Sequence, residues 1–360
     1  MRGKTAYGTV PTEVSEVFDR RKLMEPKTLK EAYGKSLLLS SPGMHEMADN
    51  IASLLAKKGR VFDRARLTYE HFANGEAKPT IPQTVRGEHV FFLHPMQHPE
   101  PNLALILMLL TNDALARASA AGITLVLPYL SYTRQDRKDK GRVPISARVV
   151  ADLIQTNPKV ERLITFDLHA DQIQGFYSIP VDNLLGMQVH ARYFRERFGG
   201  DYSKTSVVAP DYGSSVRARR FADLLDPTVP VTIIEKRRIA AGETKIMGIN
   251  GPEVASRDVI IYDDMIDSGG TNHGAVAEMQ KQGAATIYNA ATHGLFTKGA
   301  EARFAEAGLP VVVCNTIPRT PEYRVAHASW LSFASIDELL ADAISEASTV
   351  GGSVSKLFIT

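Results

Sequence analysis

Short apolar runs alternate with amphipathic segments along most of the chain, which has 360 residues. The runs have the length of buried strands, and the segments between them place apolar residues at helical spacing. Nine runs predict strands, at 36–40, 89–94, 124–130, 162–168, 206–211, 231–235, 258–264, 286–294 and 310–315. Eight segments predict helices, at 43–58, 102–121, 146–156, 186–198, 214–225, 272–282, 299–307 and 336–347. Strands that are apolar almost throughout and alternate with helices indicate mostly parallel sheets flanked by helices.

The number of strands indicates two domains. Nine strands are many for one sheet of this length, and 360 residues agree with two domains on the usual length prior. We therefore expect two α/β domains of similar size, at 36–182 and 183–360. Residues 1–35 are charged and weakly periodic, and they predict an N-terminal extension.

The composition agrees with a soluble enzyme but does not identify it. Hydrophobic residues make up 44% of the chain and charged residues 23%, and the net charge is +2. Such a small net charge gives no reason to expect a nucleic-acid or membrane partner. No apolar run approaches the ~18 residues needed to span a bilayer, and the N-terminus lacks an apolar signal-peptide core. We expect a cytoplasmic protein.

The segment 259–271, VIIYDDMIDSGGT, carries the strongest chemical signal. Asp263 and Asp264 follow a buried strand, and ligands bind outside the carboxyl ends of strands in an open α/β sheet. Gly269 and Gly270 let backbone N–H groups approach an anion at the start of the next helix. The turn therefore offers phosphate donors beside carboxylate acceptors for sugar hydroxyls, as a ribose 5-phosphate would require. The alternative, a solvated Asp-rich turn, is disfavoured by the strand before it and the helix after it.

A second segment, PYLSYTRQDRKDKGR at 128–142, places charged side chains after a strand. The guanidinium of Arg134 is suited to forked phosphate contacts and to stacking on a flat base. Gln135 and Asp136 beside it can contact the hydrogen-bonding edge of a purine. Taken alone, such a charge run is more often a solvated loop.

Two further strand ends carry candidate metal ligands. Asp167 and His169 point the same way if their strand continues, and together they could bind Mg²⁺ and its waters. A histidine hydrogen-bonded inside a turn is an equally good interpretation of that segment alone. Asp211 ends a later strand and could be a second carboxylate near magnesium, with Arg217 as a phosphate contact. The alternative there is a helix N-cap with exposed arginines.

Three cations, Lys236, Arg237 and Arg238, follow the strand at 231–235. The Gly-containing connection after them has no strong apolar periodicity, and such a connection can be mobile. A basic mobile loop that faces anionic sites predicts a lid over a phosphoryl-transfer reaction. A solvated strand end is the alternative.

Taken together and in this order, the segments closely resemble ribose-phosphate pyrophosphokinases over roughly 36–345. The segment DLHADQIQGF at 167–176 is close to diagnostic, whereas the phosphate turn alone would equally suit a phosphoribosyltransferase. The other matching stretches are FANGE (72–76), PYLSYTRQDRKDKGRVPISARVVADL (128–153), PDYGSSVRAR (210–219), KRR (236–238) and VIIYDDMIDSGGT (259–271). The resemblance implies two phosphoribosyltransferase-like domains and the transfer of the diphosphoryl group of ATP to O1 of ribose 5-phosphate, with Mg²⁺.

The resemblance also implies roles for individual residues. The sugar 5-phosphate would be held by Asp267, Ser268, Gly269, Gly270 and Thr271, and the ribose hydroxyls by Asp263 and Asp264. ATP would be held by Arg134, Gln135, Asp136 and His169, and by Phe72, Asn74 and Glu76 on a loop that reaches the adenine of a neighbouring subunit. The metal site would comprise His169, Asp211 and Asp167. Lys236 and Arg238 would be catalytic, and the working form would be a homo-oligomer, a hexamer built from dimers.

Two other functions stay open from the sequence. A phosphoribosyltransferase would share the turn at 259–271 but would have no need of the 134–138 and 167–176 segments. A catalytically silent regulatory relative would keep the fold and lose the basic segment or the metal ligands, which are present here. The residues include no nucleophile beside a base, so we expect no covalent intermediate. Departures from the family pattern, among them Asn74 and the sequence HPMQHPEPN at 94–102, indicate a divergent subfamily.

Overall fold

The computed structural model describes residues 35–97, 100–240 and 243–358, with the backbone alone at 237–240 and 243–245. It confirms the predicted α/β class, with parallel sheets flanked by helices. The extension assigned to 1–35 lies outside the described residues except for Lys35. No helix in the described part of the chain is long and apolar enough to cross a membrane.

The first sheet contains six strands, all parallel, in the order β2–β1–β5–β6–β7–β8. Its strands are β1 (Ser36–Ser40), β2 (Asp63–Arg66), β5 (His89–Leu93), β6 (Gly122–Leu127), β7 (Val160–Phe166) and β8 (Val181–Leu184). Between β2 and β5, a separate antiparallel hairpin is formed by β3 (Thr68–His71) and β4 (Ala77–Thr80). All five residues of β5 and all six of β6 are buried, as expected for strands covered on both faces.

The second sheet contains seven strands in the order β11–β10–β9–β12–β13–β14–β15. Its strands are β9 (Thr205–Ala209), β10 (Val231–Ala240), β11 (Glu243–Asn250), β12 (Asp258–Ile266), β13 (Thr286–Gly294), β14 (Val311–Cys314) and β15 (Leu331–Ala334). All neighbours are parallel except β10 and β11, which pair antiparallel.

Helices connect the strands and cover the sheets. They are α1 (His45–Lys57), α2 (Pro101–Arg117), α3 (Ser146–Gln155), α4 (Met187–Phe198), α5 (Ser215–Leu225), α6 (Gly270–Lys281), α7 (Ala300–Glu306), α8 (Pro321–Ala326) and α9 (Asp337–Ala347). The start of α2 is fixed by Pro101 in its first turn and by Glu100, whose carboxylate accepts hydrogen bonds from two backbone N–H groups. Helix α4 ends at Gly199, which takes the left-handed conformation that favours glycine.

The C-terminal helix returns to the first sheet. Helix α9 packs against α1, and Leu340 and Ile344 share a buried cluster with Leu38 of β1. The Asn50 amide donates to the Asp337 carboxylate at 2.8 Å within this interface. The expected division at residue 182 falls inside β8, a strand of the first sheet, and the division into domains stays a prediction.

All nine predicted strands are present, and the structure adds six that the sequence pattern did not indicate. The added strands are β2, β3, β4, β8, β11 and β15. They are short or polar, and β2, with the sequence DRAR, buries only one side chain, so the pattern lacked an apolar run to detect. One expectation was wrong: Lys236 does not leave the sheet, because β10 continues to Ala240 and pairs with β11.

Candidate active site

Four strand ends border one cavity of about 590 Å³ between the two sheets. Segments after β6 and β7 form one wall, and segments after β9 and β12 form the other. The lining side chains belong to four segments, at 134–137, 169–172, 211–217 and 263–272. The structure therefore brings together predicted ligand contacts that are up to 137 positions apart, from Arg134 to Thr271.

His169 and Asp264 join the two walls. The Nδ1 atom of His169 lies 2.7 Å from the Oδ2 atom of Asp264, and the carboxylate can only accept, so the imidazole donates. Its Nε2 atom makes no hydrogen bond with any described residue, and the ring is 41% exposed at the cavity. A carboxylate that holds one imidazole nitrogen fixes the tautomer and leaves the other nitrogen free to accept a proton or bind a cation.

The neighbouring acids Asp263 and Asp264 have opposite pKa shifts. Burial raises the pKa of Asp263 well above its ordinary value, and the negative charges of Asp264 and Asp211 raise it further. Burial also acts to raise the pKa of Asp264, but the hydrogen bond from His169 and the charge of Arg217 outweigh it and lower the pKa to about 2. Arg217 lies 3.6 Å from Asp263 and 3.8 Å from Asp264. The site thus holds one firmly ionised carboxylate beside one that is ready to bind a proton or a cation.

The turn at 267–271 has the geometry of an anion-binding loop. Gly269 has φ +75°, and a Cβ atom there would lie 3.0 Å from the ring of Phe304, so this position requires glycine. Helix α6 begins at Gly270, and its first N–H groups have no partners within the helix. A Cβ atom at Gly270 would approach no atom closer than 3.9 Å, so the space above the helix start is open.

Asp267, the first residue of the turn, is held from both walls. The Thr297 hydroxyl donates to one carboxylate oxygen at 2.6 Å, and the Arg134 guanidinium donates to the other at 2.5 Å. Burial acts to raise the pKa of Asp267, but these two contacts outweigh it and lower the pKa. Arg134, predicted to contact ATP, is therefore ion-paired with the predicted sugar-phosphate turn.

Two cations hold the carbonyl groups of the same turn. Arg303 donates to the carbonyls of Ser268 and of Lys298, and the latter distance is 2.9 Å. Lys236 donates from Nζ to the Thr271 carbonyl at 2.7 Å. Because Arg303 and Lys236 bind these carbonyl groups, the backbone of the turn is held in one conformation. The sequence analysis did not single out Arg303, because a basic residue inside an ordinary amphipathic helix carries no signal for such a contact.

Asp211, a predicted metal ligand, lines the cavity. Its Oδ1 atom accepts from the backbone and hydroxyl of Ser214, and its Oδ2 atom accepts from no described residue. Within the described chain no group of three His, Cys, Asp or Glu side chains could hold a metal ion. This donor set still fits Mg²⁺, which commonly takes one or two carboxylates and completes its shell with substrate phosphates and water.

Asp167 does not join His169 and Asp211 at the cavity. Strand β7 ends at Phe166, and Asp167 has φ +33°, so the alternation on which the prediction depended is broken. Its buried carboxylate accepts from the Gly186 N–H at 2.8 Å and from the Thr292 hydroxyl at 2.5 Å. The physical reason for the correction is that both contacts hold Asp167 in the joint between the two sheets, away from the cavity wall.

The predicted ATP contacts at 135 and 136 differ in position. Asp136 lines the cavity and accepts a hydrogen bond from the Gln172 amide at 3.0 Å. The side-chain oxygen of Gln135 instead accepts from the Ser146 hydroxyl at 2.7 Å, at the start of α3. Gln135 therefore ties the basic segment to the following helix, and its side chain is not part of the lining.

Comparison with known proteins identifies the family. Residues 36–157 match the N-terminal domain of ribose phosphate pyrophosphokinase, and 237–359 match the phosphoribosyl synthetase-associated domain. Ribose-phosphate pyrophosphokinase 1 of Lactococcus lactis is 39% identical over 87% of this chain and 93% of its own. The ribose-phosphate pyrophosphokinase of Caldanaerobacter subterraneus is 43% identical over 80% of this chain and 88% of its own. The chain belongs to the ribose-phosphate pyrophosphokinase family.

A solved structure agrees with this family. The crystal structure of phosphoribosylpyrophosphate synthetase from Mycobacterium smegmatis is 38% identical to this chain, with a TM-score of 0.75. The match covers 87% of this chain and 99% of the other. The resemblance first drawn from sequence segments is thereby confirmed at the level of the family and of the fold.

Three predicted site residues lie on the β3–β4 hairpin, which borders no part of this cavity. Phe72 is 55% exposed, and the Asn74 side chain accepts from the Glu76 N–H at 3.2 Å. In this member of the ribose-phosphate pyrophosphokinase family the tip of the hairpin is exposed, and its reach into a neighbouring subunit's site stays a prediction. The side chain of Arg238 lies outside the described residues.

Proposed function

We propose that this chain transfers the diphosphoryl group of ATP to O1 of ribose 5-phosphate, producing 5-phosphoribosyl 1-pyrophosphate and AMP. The observation that carries the proposal is the convergence on one cavity of an anion-binding turn, paired acids, an oriented histidine and an arginine. A sugar phosphate and a polyphosphate need different contacts, and the two walls offer one set each.

Ribose 5-phosphate is assigned to the second-sheet wall. Its phosphate would lie against the backbone of 267–271 at the start of α6, where N–H groups and the helix dipole favour an anion. Its hydroxyls would donate to Asp263 and Asp264, since carboxyl oxygens accept hydrogen bonds. The proposed transfer requires O1 of a sugar bound in this way to face the opposite wall.

ATP is assigned to the first-sheet wall, at Arg134, Asp136 and His169. Arg134 would exchange its ion pair with Asp267 for contacts to the nucleotide, because a polyphosphate is a stronger partner for a guanidinium. We assign Gln135 an indirect role, through its contact with the start of α3. Phe72, Asn74 and Glu76 of a neighbouring subunit would complete the nucleotide site in a homo-oligomer built from dimers, for which we propose a hexamer.

Magnesium fits the site through Asp211 and the free Nε2 atom of His169. When bound, Mg²⁺ supplies charge neutralisation for the phosphates of ATP and orients them. Asp167 is left out of this site because both of its hydrogen-bond partners belong to the joint between the sheets.

The transfer itself requires alignment and charge neutralisation. A bond forms between O1 of ribose 5-phosphate and the β-phosphorus, the bond from that phosphorus to the α-phosphate oxygen breaks, and the hydroxyl proton is released. Lys236, whose pKa is lowered by burial, lies beside the turn and the acids and would neutralise charge that develops on the leaving AMP. We assign the same task to Arg238, two residues further along β10.

Neither alternative function explains both walls of the cavity. A phosphoribosyltransferase has no need of Arg134, Asp136 and His169 opposite the sugar-phosphate turn. A silent regulatory relative has no need of a half-buried lysine that is held against that turn. Incubation of the purified protein with ATP, ribose 5-phosphate and Mg²⁺ separates the three functions. We expect AMP to form when all three are present, and AMP formation independent of ribose 5-phosphate would refute the proposal.

A further inference from the structure

His293 is a buried imidazole that no step of the proposed reaction uses. It lies near the end of β13 and is 1% exposed, and its ring packs edge-on against Tyr129, which follows β6 of the first sheet. Burial lowers the pKa of His293, although the charges of Asp167 and Asp264 act to raise it. The ring is therefore neutral at pH 7, with one nitrogen that donates and one that accepts.

The hydrogen bonds of His293 cross from the second sheet to the first. Its Nε2 atom lies 3.2 Å from the carbonyl oxygen of Phe166, the last residue of β7, and 3.4 Å from that of Asp167. A carbonyl oxygen can only accept, so Nε2 carries the proton and donates. The Nδ1 atom then accepts from the Thr316 hydroxyl at 2.9 Å. His293 thus joins β13 to the end of β7.

Thr292, the residue before His293, makes a second contact across the same joint. Its hydroxyl donates to the Asp167 carboxylate, so two consecutive residues of β13 hold the consecutive residues Phe166 and Asp167. A Cβ atom at Gly186 would lie 2.5 Å from the Thr292 hydroxyl oxygen, so the joint is closely packed. A closely packed joint transmits the loss of one contact to its neighbours.

This joint lies directly behind the hydrogen bond between His169 and Asp264. His169 follows Phe166 by three residues, and Asp264 lies on β12, which pairs with β13 through Met265 and His293. The contact between His293 and Phe166 therefore fixes the end of β7 against the strand pair that carries Asp264. In that position the Nδ1 atom of His169 lies 2.7 Å from the Asp264 carboxylate.

We infer that His293 is a positioning residue of the active site, whose Nε2–H group holds the end of β7 so that His169 meets Asp264 and turns its other nitrogen to the cavity. The inference deepens the proposed function and rests on it for the role of His169. His293 itself touches no substrate and keeps its protonation state. The competing explanation is a buried histidine that serves stability alone.

Three substitutions separate the two ring nitrogens of His293. His293→Gln places an amide N–H near the position of Nε2, where it can donate to Phe166. His293→Asn is one methylene shorter and places its amide near Nδ1, beside Thr316. His293→Leu removes both hydrogen bonds.

His94 provides a matched control. It is also 1% exposed, its Nε2 atom donates to the Ala104 carbonyl at 2.9 Å, and its Nδ1 atom lies 2.7 Å from the Ser41 hydroxyl. Both partners belong to the first-sheet side, and His94 is not among the residues that line the 590 Å³ cavity. His94→Leu should lose thermal stability as His293→Leu does, and nothing else.

Calorimetry would measure the binding of Mn²⁺ with ATP in the absence of ribose 5-phosphate, and steady-state kinetics would give kcat and KM. For His293→Leu and His293→Asn we expect about tenfold weaker binding and about tenfold lower kcat, because a metal ligand that loses its orientation loses affinity to that extent. The KM for ribose 5-phosphate should stay within a few fold, and His293→Gln should recover most of the binding and of kcat. Equal values for His293→Gln and His293→Asn, or an equal loss of Mn²⁺–ATP binding in His94→Leu, would overturn the inference even if His293→Leu fails to fold.

Crystal structures of the ligand-free variants give a readout that does not depend on the reaction. We expect the contact between His169 and Asp264 to be broken in His293→Asn and retained in His293→Gln. A broken contact in His293→Asn, with no AMP produced by the wild type, would support the inference and refute the proposed reaction. An unchanged contact in both variants, with AMP produced by the wild type, would refute the inference alone.

Discussion

The imidazole of His169 donates to the carboxylate of Asp264 across 2.7 Å, and this hydrogen bond joins the ends of β7 and β12. The two residues belong to different sheets and are 95 positions apart. Because Asp264 also lies near Arg217, its charge is neutralised from both sides. Asp263 shares the arginine and accepts a hydrogen bond from the backbone N–H of Asp264, but no described cation pairs with it alone. The two adjacent acids should therefore respond differently to loss of charge.

We expect Asp263→Asn to stabilise the ligand-free protein. The pKa of Asp263 is raised in the folded state, whereas in the unfolded chain it keeps its ordinary value of 3.8. The folded state therefore binds a proton more readily than the unfolded chain. Its contribution to stability is therefore lost as pH rises from 3.8 through the raised folded value. The substitution should remove that decline and raise the free energy of unfolding at pH 7 by roughly 1 kcal/mol. Urea denaturation across this pH range in the presence of chelator measures the effect.

Asp264→Asn is the matched comparison and should have the opposite effect. The pKa of Asp264 is lowered to about 2, so its stabilising contribution is complete above 3.8 and is lost as pH falls toward 2. The substitution should lower the free energy of unfolding at neutral pH, because it removes the negative charge that pairs with His169 and Arg217. A shift of both variants in the same direction would contradict the described charge arrangement.

The sequence predicted most of the strands because they are apolar runs. It predicted many of the residues that line the cavity because these residues follow the ends of such strands. Apolar runs located β12 and β7, and ligands bind beyond the carboxyl ends of such strands, so Asp264 and His169 could each be predicted as a ligand contact. Their hydrogen bond with each other joins two different sheets and was not predicted. Asp167 could not be placed correctly, since its positive φ is set by contacts with Gly186 and Thr292 that are distant in sequence. The role of Arg303 could not be predicted either, because its contact with Ser268 in the turn depends on tertiary packing between distant segments.

Substitutions at the two glycines of the turn should have different effects, one on substrate binding and the other on stability. A side chain at Gly270 would enter open space at the helix start, so Gly270→Val should leave the protein folded and raise the KM for ribose 5-phosphate more than that for ATP. Gly269→Ala should cost roughly 1–2 kcal/mol of stability, because alanine is strained at φ +75° and would contact Phe304. Steady-state kinetics and thermal unfolding distinguish the two effects. An unchanged KM for ribose 5-phosphate in folded Gly270→Val would argue against the phosphate site.

Lys236→Ala should lower kcat on the order of 10²–10³-fold and leave both KM values within a few fold. The reason is that charge on the leaving AMP develops mainly in the transition state. Lys281→Ala is a suitable control, because Lys281 is an exposed lysine at the far end of α6. A near-normal kcat for Lys236→Ala would mean that its contact with Thr271 is structural only.

Subunit mixing can test whether the β3–β4 hairpin completes a neighbouring site. Phe72→Ala and His169→Ala should each be nearly inactive, because one lacks the hairpin contact and the other the cavity contact. Subunits of the two variants assembled together should recover activity, since a mixed pair contains one complete site. Absence of recovery in verified mixed oligomers would indicate that Phe72 acts within its own subunit or not at all.

The most direct test of the account follows the terminal phosphate of ATP. The purified chain would be incubated with Mg²⁺, ribose 5-phosphate and ATP labelled at the γ-phosphate, and the products would be separated. We predict one AMP for each labelled ribose product, because the β- and γ-phosphates are transferred as one group. ADP beside a ribose product that has gained only one phosphoryl group, or label released as inorganic phosphate without ribose 5-phosphate, would contradict diphosphoryl transfer.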